Sequence, residues 1–478
     1  MKPVAIIGGG ITGLVAAFRL RERGVPVTLY EAGAQPGGVI RTVRDAGWLV
    51  ECGPATVLET SPLIGDLVRD LGLESRRRYT DPRADNNFIL RDGKLRVAPR
   101  RVPAFVTTTL FSLRAKLGLL CEPFVHRTPP DFDESLADFV RRRLGREFLD
   151  YAINPFVGGI YAGDPERLSV KHGFPKLHAI EQTYGSLIGG QFLGARERKR
   201  SGEMPKTEAK KFSFDDGLQV MIDTLAAKLG DAVHLRAPVS AVAQASSLWT
   251  GGRRDACPPH SQDGCATFRV RAGDEEREHS AVLFTAPAHR LASIKLNGGQ
   301  TLAPLAEIHH PPVAVLALGF RREDVANSLD GFGFLVPEKE RRNILGATFS
   351  STLFANRAPA GHVLLTSYIG GCRAPDLAVR ETATLVDLTL RDLKAILGVR
   401  SQPAFVHRTL VPKAIPQYEV GYGRFKDLMS DIENKMPGVF FAGSYRDGIS
   451  LANSLVSGHD VAGRIAAFVA SSSQTTAA

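Results

Sequence analysis

Cysteine is scarce: Cys52, Cys121, Cys257, Cys265 and Cys372 are the five in 478 residues, an odd number with no C-x-x-C pair. A disulfide framework and disulfide-reductase chemistry are excluded, and a reducing compartment is expected. No run approaches the ~18 consecutive apolar residues that a membrane-spanning helix needs. The N-terminus enters Val4, Ala5, Ile6 and Ile7 without a charged segment ahead of an apolar one, so no secretory signal is expected and the predicted location is cytoplasmic. No internal repeat of fixed period occurs. The histidines, His309 and His310 included, show no metal-ligand spacing and no triad partners, and Cys257, His260 and Cys265 lack a fourth ligand; no metal and no catalytic residue is assigned.

What is present is an ordinary globular balance, 44% hydrophobic and 23% charged, with 60 Lys and Arg against 50 Asp and Glu. Disorder and collagen-like architectures are excluded. The net charge of +10 suits an anionic partner. The basic clusters at 76–78, 141–143, 196–200 and 210–211 are scattered and lie in no nucleic-acid-binding motif. They read as solvated faces, and no nucleic-acid partner is expected. At roughly 100–200 residues per domain the length predicts two to four domains.

Residues 4–7, 8–13, 14–23 and 27–31 read strand, glycine turn, helix, strand: one βαβ unit. Hairpin strands are expected at 88–90 and 95–97, a helix from 133 through 148, an amphipathic helix at 218–229, strands at 233–235, 239–243, 267–271, 282–285, 313–320, 363–369 and 439–442, and a final helix at about 453–470. Residues 197–211 read as an exposed linker. Residues 246–264, with Gly251, Gly252, Pro258, Pro259 and few apolar side chains, read as a surface loop inserted in a β-ribbon.

Gly8-x-Gly10-x-x-Gly13 follows a strand and opens a helix, the context that gives this spacing meaning. Glycine there allows the tight turn, the approach of backbone to a pyrophosphate and close helix-on-strand packing, while the helix N-terminus favours negative charge. Ile11 and Thr12 lie within the motif, and Glu31 ends the second strand, placed to accept from ribose hydroxyls. A second glycine turn, Gly37-Gly38, precedes a cation, Arg41. Near the other end of the chain, Gly443-Ser444 follows a strand, and Gly448, Ile449, Ser450 and Leu451 lead into the last helix. Sites at both ends of the chain suit the long FAD better than NAD. No second Gly-x-Gly-x-x-Gly appears, so no nicotinamide domain is expected and oxygen or a quinone-like carrier is the expected acceptor.

The run from Pro155 to Ser169, with Gly158-Gly159-Ile160-Tyr161-Ala162-Gly163-Asp164 at its centre, continues to Glu181-Gln182 and 185–190; it resembles the protoporphyrinogen oxidase family, in its plastid-type branch. The similarity covers nearly the whole chain apart from 246–264. It implies an α/β, mixed α+β architecture: a doubly wound βαβ FAD domain of the amine-oxidase-like flavoprotein class, a mixed-sheet substrate domain and a helical domain that touches the membrane. The expected borders are 1–80, 206–298 and 405–478 for the FAD domain, 81–101 and 299–404 for the substrate domain, and 102–205 for the helical domain.

Carried over residue by residue, the resemblance implies FAD contacts at Gly8, Gly10, Gly13, Glu31, Gly38 and Arg41, with Gly37, Gly53 and Ala286 beside them. Val239 would clasp the adenine, and Gly443, Ser444 and residues 448–451 the flavin. For a tetrapyrrole, Gly158 and Gly159 match a stretch whose bare backbone admits the ring, and Phe332, Leu335 and Tyr368 match positions packing on it. Asn87 stands where the family often has a basic residue for a propionate, leaving Arg91, Lys94 and Arg96 as other cations nearby. The implied activity is oxidation of protoporphyrinogen IX to protoporphyrin IX by oxygen, with hydrogen peroxide as product. Coproporphyrinogen III oxidation on the same fold is one alternative; an FAD amine oxidase or carotenoid desaturase is another.

Leu110, Leu113, Leu117 and Leu120 fall on one helical face. Such a face either lies in a headgroup layer as a peripheral membrane contact or packs inside the helical domain or against a second copy in a homodimer.

Overall fold

The computed structural model describes residues 1–100, 102–193, 209–245 and 267–474. The expected insert at 246–264, with Cys257 and His260, lies outside the described residues, as do Cys265 and most of the expected linker at 197–211.

A five-stranded parallel sheet gathers the two ends of the chain. Its order is Val233–His234, Val27–Tyr30, Val4–Ile7, Ala281–Phe284 and Val439–Phe441. The three central strands are buried at every position, the continuous apolar run that a parallel strand covered on both faces requires. On one face, helices Ile11–Glu22, Gln219–Leu229 and Leu451–Gln474 contribute Leu14, Leu225, Leu455 and Ile465 to a single core. The other face packs on Val242 and Phe268 of an antiparallel ribbon and on Phe425 and Met429 of helix Gly423–Lys435. The ribbon is the pair Val239–Ala245 and Thr267–Ala272, extended by Glu275–His279.

A seven-stranded mixed sheet follows the order Phe405–Val411, Val313–Arg321, His362–Gly370, Ile344–Thr348, Gly333–Leu335, Asn87–Arg91, Lys94–Val97. Its neighbours are antiparallel except Gly333–Leu335 against Asn87–Arg91. Helix Thr382–Leu397 buries Leu385, Leu393 and Leu397 against Leu316, Leu318 and Leu365 on one face. On the opposite face Trp48 packs with Ala317 and Leu364 and stacks on Phe405 with ring centroids 5.1 Å apart. Phe405–Val411, which follows the expected border at 404/405, pairs along Val313–Arg321 from Gly319↔Phe405 to Val313↔Val411, so the seven-stranded sheet runs on to Val411.

Residues 102–193 form the helical unit around Phe111, Phe139, Phe148 and Val157. Two expectations change. The helix expected from 133 through 148 is Leu136–Arg143, stopped by Gly145 at φ +90°, followed by Arg146–Phe148 and a π-helical turn, Leu149–Ile153. Leu110 does not share a face with Leu113, Leu117 and Leu120. It is buried beside Phe111, because helix Leu113–Gly118 begins only at the Ser112 cap.

Candidate active site

Gly8 ends the first strand at φ +116°, and a Cβ there would meet Ala286 N at 2.5 Å. Only glycine makes that turn between the neighbouring strands' ends. A Cβ on Gly13 would lie 2.1 Å from the Gly8 carbonyl oxygen, so the first helix sits directly on the turn. Gly10 differs from both: it caps the helix with no side-chain hydrogen bond, and nothing lies within 4 Å of where its Cβ would be. Open space thus adjoins a helix N-terminus whose first N–H groups lack a side-chain cap, a setting suited to an anion. Thr12, in the first turn, donates to the Ser454 carbonyl at 3.2 Å and Ile11 is buried beside it.

Glu31 accepts from Gly9 N–H at 2.8 Å on one carboxylate oxygen and from Gly33 N–H at 2.6 Å on the other. A carboxylate has about four lone-pair sites, so each oxygen keeps acceptor capacity for a ribose. Gly37 N–H donates to the Gly9 carbonyl at 2.8 Å, and a Cβ on Gly38 would stand 3.6 Å from Gly10 Cα, so the two glycine turns share one cradle. Gly53 closes on it, since its Cβ would meet the Val39 carbonyl oxygen at 2.2 Å. Exposed Arg41 lies against the Gln35 side chain. Val239 opens the ribbon strand opposite Ala272, and Ala286 flanks Gly8.

The C-terminal turn meets this cradle. Gly443 has φ +114°, its N–H faces Asp447 Oδ2 at 3.0 Å and Ser457 Oγ at 3.2 Å, and its Cβ would lie 3.7 Å from Thr12 Oγ1. Gly448 is held at φ +110° against Asn453, and Ser450 Oγ accepts from Asn453 N–H at 3.1 Å, capping the helix that Ile449 and Leu451 enter. Tyr418 carries a role that sequence reasoning missed. Its hydroxyl donates to the Ser444 carbonyl at 2.7 Å and accepts from Gly448 N–H at 3.1 Å. Burial pushes that hydroxyl's pKa well up, so it stays a fixed neutral clamp.

Tyr418 also ties this turn to the helical unit: its carbonyl accepts from Ser169 N–H at 2.8 Å, while Gln417 Nε2 donates to the Tyr161 carbonyl at 2.9 Å. The segment Gly158 to Ser169 is thereby fixed against the turn at 443–448. No sequence signal marked Gln417 and Tyr418; they follow Pro416 in an unremarkable run.

The candidate substrate residues divide into two places. Gly158 and Gly159 lie in a π-helical turn, Val157–Tyr161, of the kind frequent at functional sites. A Cβ on Gly158 would meet the Arg373 guanidinium at 2.9 Å, and one on Gly159 would meet Leu335 Cδ2 at 2.3 Å. Glycine here makes room for Arg373 and Leu335. Tyr368, opposite Gly346 and Val315 on the sheet, packs with Ala162, Val315, Leu345 and Ile415. Gly158, Gly159, Leu335 and Tyr368 therefore surround one region. Asn87 and Phe332 stand about 7 and 10 Å back along the strands: Asn87 pairs with Gly333, and Phe332 packs on Ala84, Leu353 and Phe354 with Lys211 Nζ 5.0 Å above its ring. Arg91 is engaged by Glu147 at 2.6 Å and the Tyr151 ring, away from that region; Lys94 is exposed in the hairpin.

Among the described residues no group of three or more His, Cys, Asp or Glu is placed to hold a metal ion. Burial raises the Cys372 thiol to about 12, and His309 is held by Glu419 at 2.9 Å. Burial lowers His289 to about 4, with His310 adding to the shift, so it is neutral at pH 7.

The flavin-containing amine oxidoreductase family model matches residues 11–466 of the chain. The chain belongs to this family. It is 34% identical to protoporphyrinogen oxidase 2, chloroplastic/mitochondrial, of Arabidopsis thaliana, over 99% of this chain and 95% of that one. Identity to the coproporphyrinogen III oxidase of Bacillus subtilis (strain 168) is 29%, over 96% of each. A crystal structure from Exiguobacterium sp. 255-15, provisionally named a protoporphyrinogen oxidase, superposes with a TM-score of 0.77 at 25% identity, covering 98% of this chain and 99% of that chain. The fold is the amine-oxidase-like flavoprotein fold, and the chain is an FAD-dependent oxidoreductase. The residues fit FAD: an uncapped helix N-terminus open at Gly10, a carboxylate at Glu31 with spare acceptor sites, and a second glycine turn at 443–448 in contact with Thr12.

Proposed function

We propose that this enzyme oxidises protoporphyrinogen IX to protoporphyrin IX with oxygen as acceptor. The observation that carries the reading is the linkage through Gln417 and Tyr418 of the Gly158-to-Ser169 segment to the turn at 443–448. A large macrocyclic substrate lying against Leu335 and Tyr368 is held on the flavin side by that linkage. Bound FAD supplies the acceptor for a hydride from a meso carbon and returns the electron pair to oxygen. Each round removes two electrons and two protons from the substrate and yields one hydrogen peroxide, and three rounds complete the conjugated ring.

The chain's own residues bind, orient and exclude water. The N-terminus of helix Ile11–Glu22 holds the pyrophosphate, Glu31 orients the ribose, and Leu335, Leu345, Val315 and Tyr368 form an apolar wall that keeps the reacting carbon dry. No side chain is required as a base, because pyrrole N–H protons are lost to water. The Tyr161 hydroxyl, pushed up to about 12 by burial, is no proton acceptor at pH 7.

Freshly reduced protoporphyrinogen IX and coproporphyrinogen III, given in parallel to the purified protein under air, test the reading through growth of porphyrin fluorescence. Faster turnover of the former is expected. Preference for the latter would assign the coproporphyrin-forming reaction instead, and silence on both would return the chain to amine oxidation or desaturation.

The helical unit's ridge of Leu113, Leu117, Leu120 and Phe124 lies on a membrane surface in this reading. It is supported by exposure of 72%, 55%, 71% and 84% at these residues. No described helix is long and apolar enough to cross a membrane, so the contact is peripheral. Flotation with anionic vesicles is expected to fall at least tenfold in a Leu113→Asp, Leu117→Asp variant; equal flotation of the two proteins would remove this contact.

A further inference from the structure

The large cations of this protein's interior mostly meet carboxylates. Arg143 lies between Glu122 and Glu181, Arg19 meets Glu22 and Asp70, Arg91 meets Glu147, and Arg357 faces Glu51. Arg373 does not. Its guanidinium donates to two neutral oxygens, the Val336 carbonyl at 2.9 Å and Asn154 Oδ1 at 3.2 Å. Among the described residues no carboxylate forms an ion pair with it. Glu338 acts on it only through its field, and that carboxylate accepts instead from Asn154 Nδ2 at 3.1 Å. A guanidinium has five N–H donors in a planar fork, so three are left for a further acceptor.

The position of Arg373 matches this vacancy in its pairing. It follows the end of strand His362–Gly370, which carries Tyr368, and its carbonyl partner Val336 follows Leu335. Its Nη2 lies where a Cβ on Gly158 would be only 2.9 Å away, so the chain keeps glycine at 158 and thereby leaves the guanidinium room. Three of the residues around the apolar region, Gly158, Leu335 and Tyr368, are thus within a few residues or direct reach of one under-partnered cation. Partial burial lowers its pKa from the ordinary guanidinium value, against the opposing field of Glu338. At an arginine the group stays charged, and a half-buried fork with donors to spare matches a planar bidentate anion.

We infer that Arg373 is the anchor for a carboxylate of the substrate, taking over the part that Asn87, a neutral side chain, leaves unfilled. The inference rests on the porphyrinogen reading, since a porphyrinogen carries propionates on the ring edge. Asn154 then acts as the positioning residue that orients the fork. Lys211, which opens strand Lys211–Phe214 and lies over the ring of Phe332, offers a second cation for a propionate at the other place.

The test compares protoporphyrinogen IX with its dimethyl ester on the purified holoenzyme, scoring KM and kcat for each. The native protein is expected to prefer the diacid. Arg373→Met is expected to raise KM for the diacid roughly 10- to 100-fold, the loss of a charge-assisted pair, while moving the ester's KM less than about threefold and leaving kcat largely intact. Arg373→Lys should fall between. Asn154→Asp keeps the guanidinium and sets a competing carboxylate against it, so it should raise the diacid's KM alone; it decides the matter if Arg373→Met fails to fold or to hold FAD. Equal losses for diacid and ester would mean a structural role and overturn the inference, as would an unchanged KM or a native enzyme indifferent to esterification. Failure of the porphyrinogen reading shows separately, as a native enzyme inert toward both substrates.

Discussion

Gly10→Val is expected to yield a folded but colourless protein. The Gly10 backbone, φ −69° and ψ 174°, is extended geometry open to any residue, and no protein atom lies within 4 Å of the added Cβ. The side chain would instead occupy the space above the N–H groups of helix Ile11–Glu22, where a pyrophosphate has to lie. Displacing an anion from two such donors costs about 3 kcal/mol or more, at least ~100-fold in FAD affinity. Visible flavin absorbance should therefore vanish at micromolar FAD while the melting temperature of the cofactor-free protein stays within a few degrees of the native apoprotein. Gly13→Val separates the two readouts in the other direction. Its Cβ would enter the Gly8 carbonyl at 2.1 Å and Thr285 Oγ1 at 2.7 Å, so both fold and flavin should be lost. Glu31→Ala is intermediate, removing the acceptor for two backbone N–H groups along with the ribose contact. Full retention of FAD by Gly10→Val would mean that the dinucleotide lies elsewhere.

The contrast between Gly10 and Gly13 also marks what the sequence could disclose. The βαβ unit, the hairpin around residues 91–94 and the final helix were legible because each is set by local periodicity and by turn residues within a few positions. The place of Phe405–Val411 at a sheet edge was not legible, because it is fixed by Val313–Arg321, far away in sequence. Gly145, with φ +90°, interrupted an otherwise helical apolar pattern that periodicity alone carries straight through. At the site, the family resemblance flagged Gly158 and Gly159, yet the side chains that require glycine there, Leu335 on the seven-stranded sheet and Arg373 just past one of its strands, come from distant parts of the chain. Gln417 and Tyr418 left no local signal at all, since their role consists of four hydrogen bonds to other segments.

The helical unit that presents Gly158 depends on a charge cluster with no access to water, and cutting it should have the largest effect on stability. Glu122, Arg143 and Glu181 are each 0% exposed at the side chain. Glu122 accepts from Arg143 Nη1 at 2.7 Å, Ser186 Oγ at 2.5 Å, Leu187 N–H at 2.9 Å and Ile188 N–H at 3.2 Å, so one carboxylate anchors the start of helix Leu187–Leu193 to the Leu119–Phe124 turn. Glu181 holds Arg143 Nε at 2.7 Å and Arg142 Nη1 at 2.9 Å. Glu122→Ala removes one of the two anions on a buried guanidinium and strands three further donors, a loss of about 3–5 kcal/mol. Limited proteolysis within residues 102–193 reports it as local opening, expected to accelerate at least ~100-fold at pH 7.

Acid should do the same to the native protein. Burial pushes the Glu122 and Glu181 carboxyls up, but hydrogen bonds from Ser186, Leu187 and Arg143 to the first, and from Arg142 and Arg143 to the second, outweigh it and hold both below the ordinary range. Their folded-state values lie under the unfolded value of about 4.3, so the stabilisation is complete above that pH and is lost as pH falls through the folded values. Cleavage in this segment should stay flat from neutrality to about pH 5 and rise below about pH 4, and Glu122→Gln, which keeps an acceptor but no charge, should cleave faster than native at pH 7 and lose much of the acid dependence. Should Glu122→Ala cleave no faster than native, Glu181 alone satisfies Arg143 and the cluster is two independent pairs. Because Ser169 and Tyr161 tie this unit to Tyr418 and Gln417, an accelerated opening should also loosen the turn at 443–448, and flavin release measured on the same samples should rise in step with cleavage.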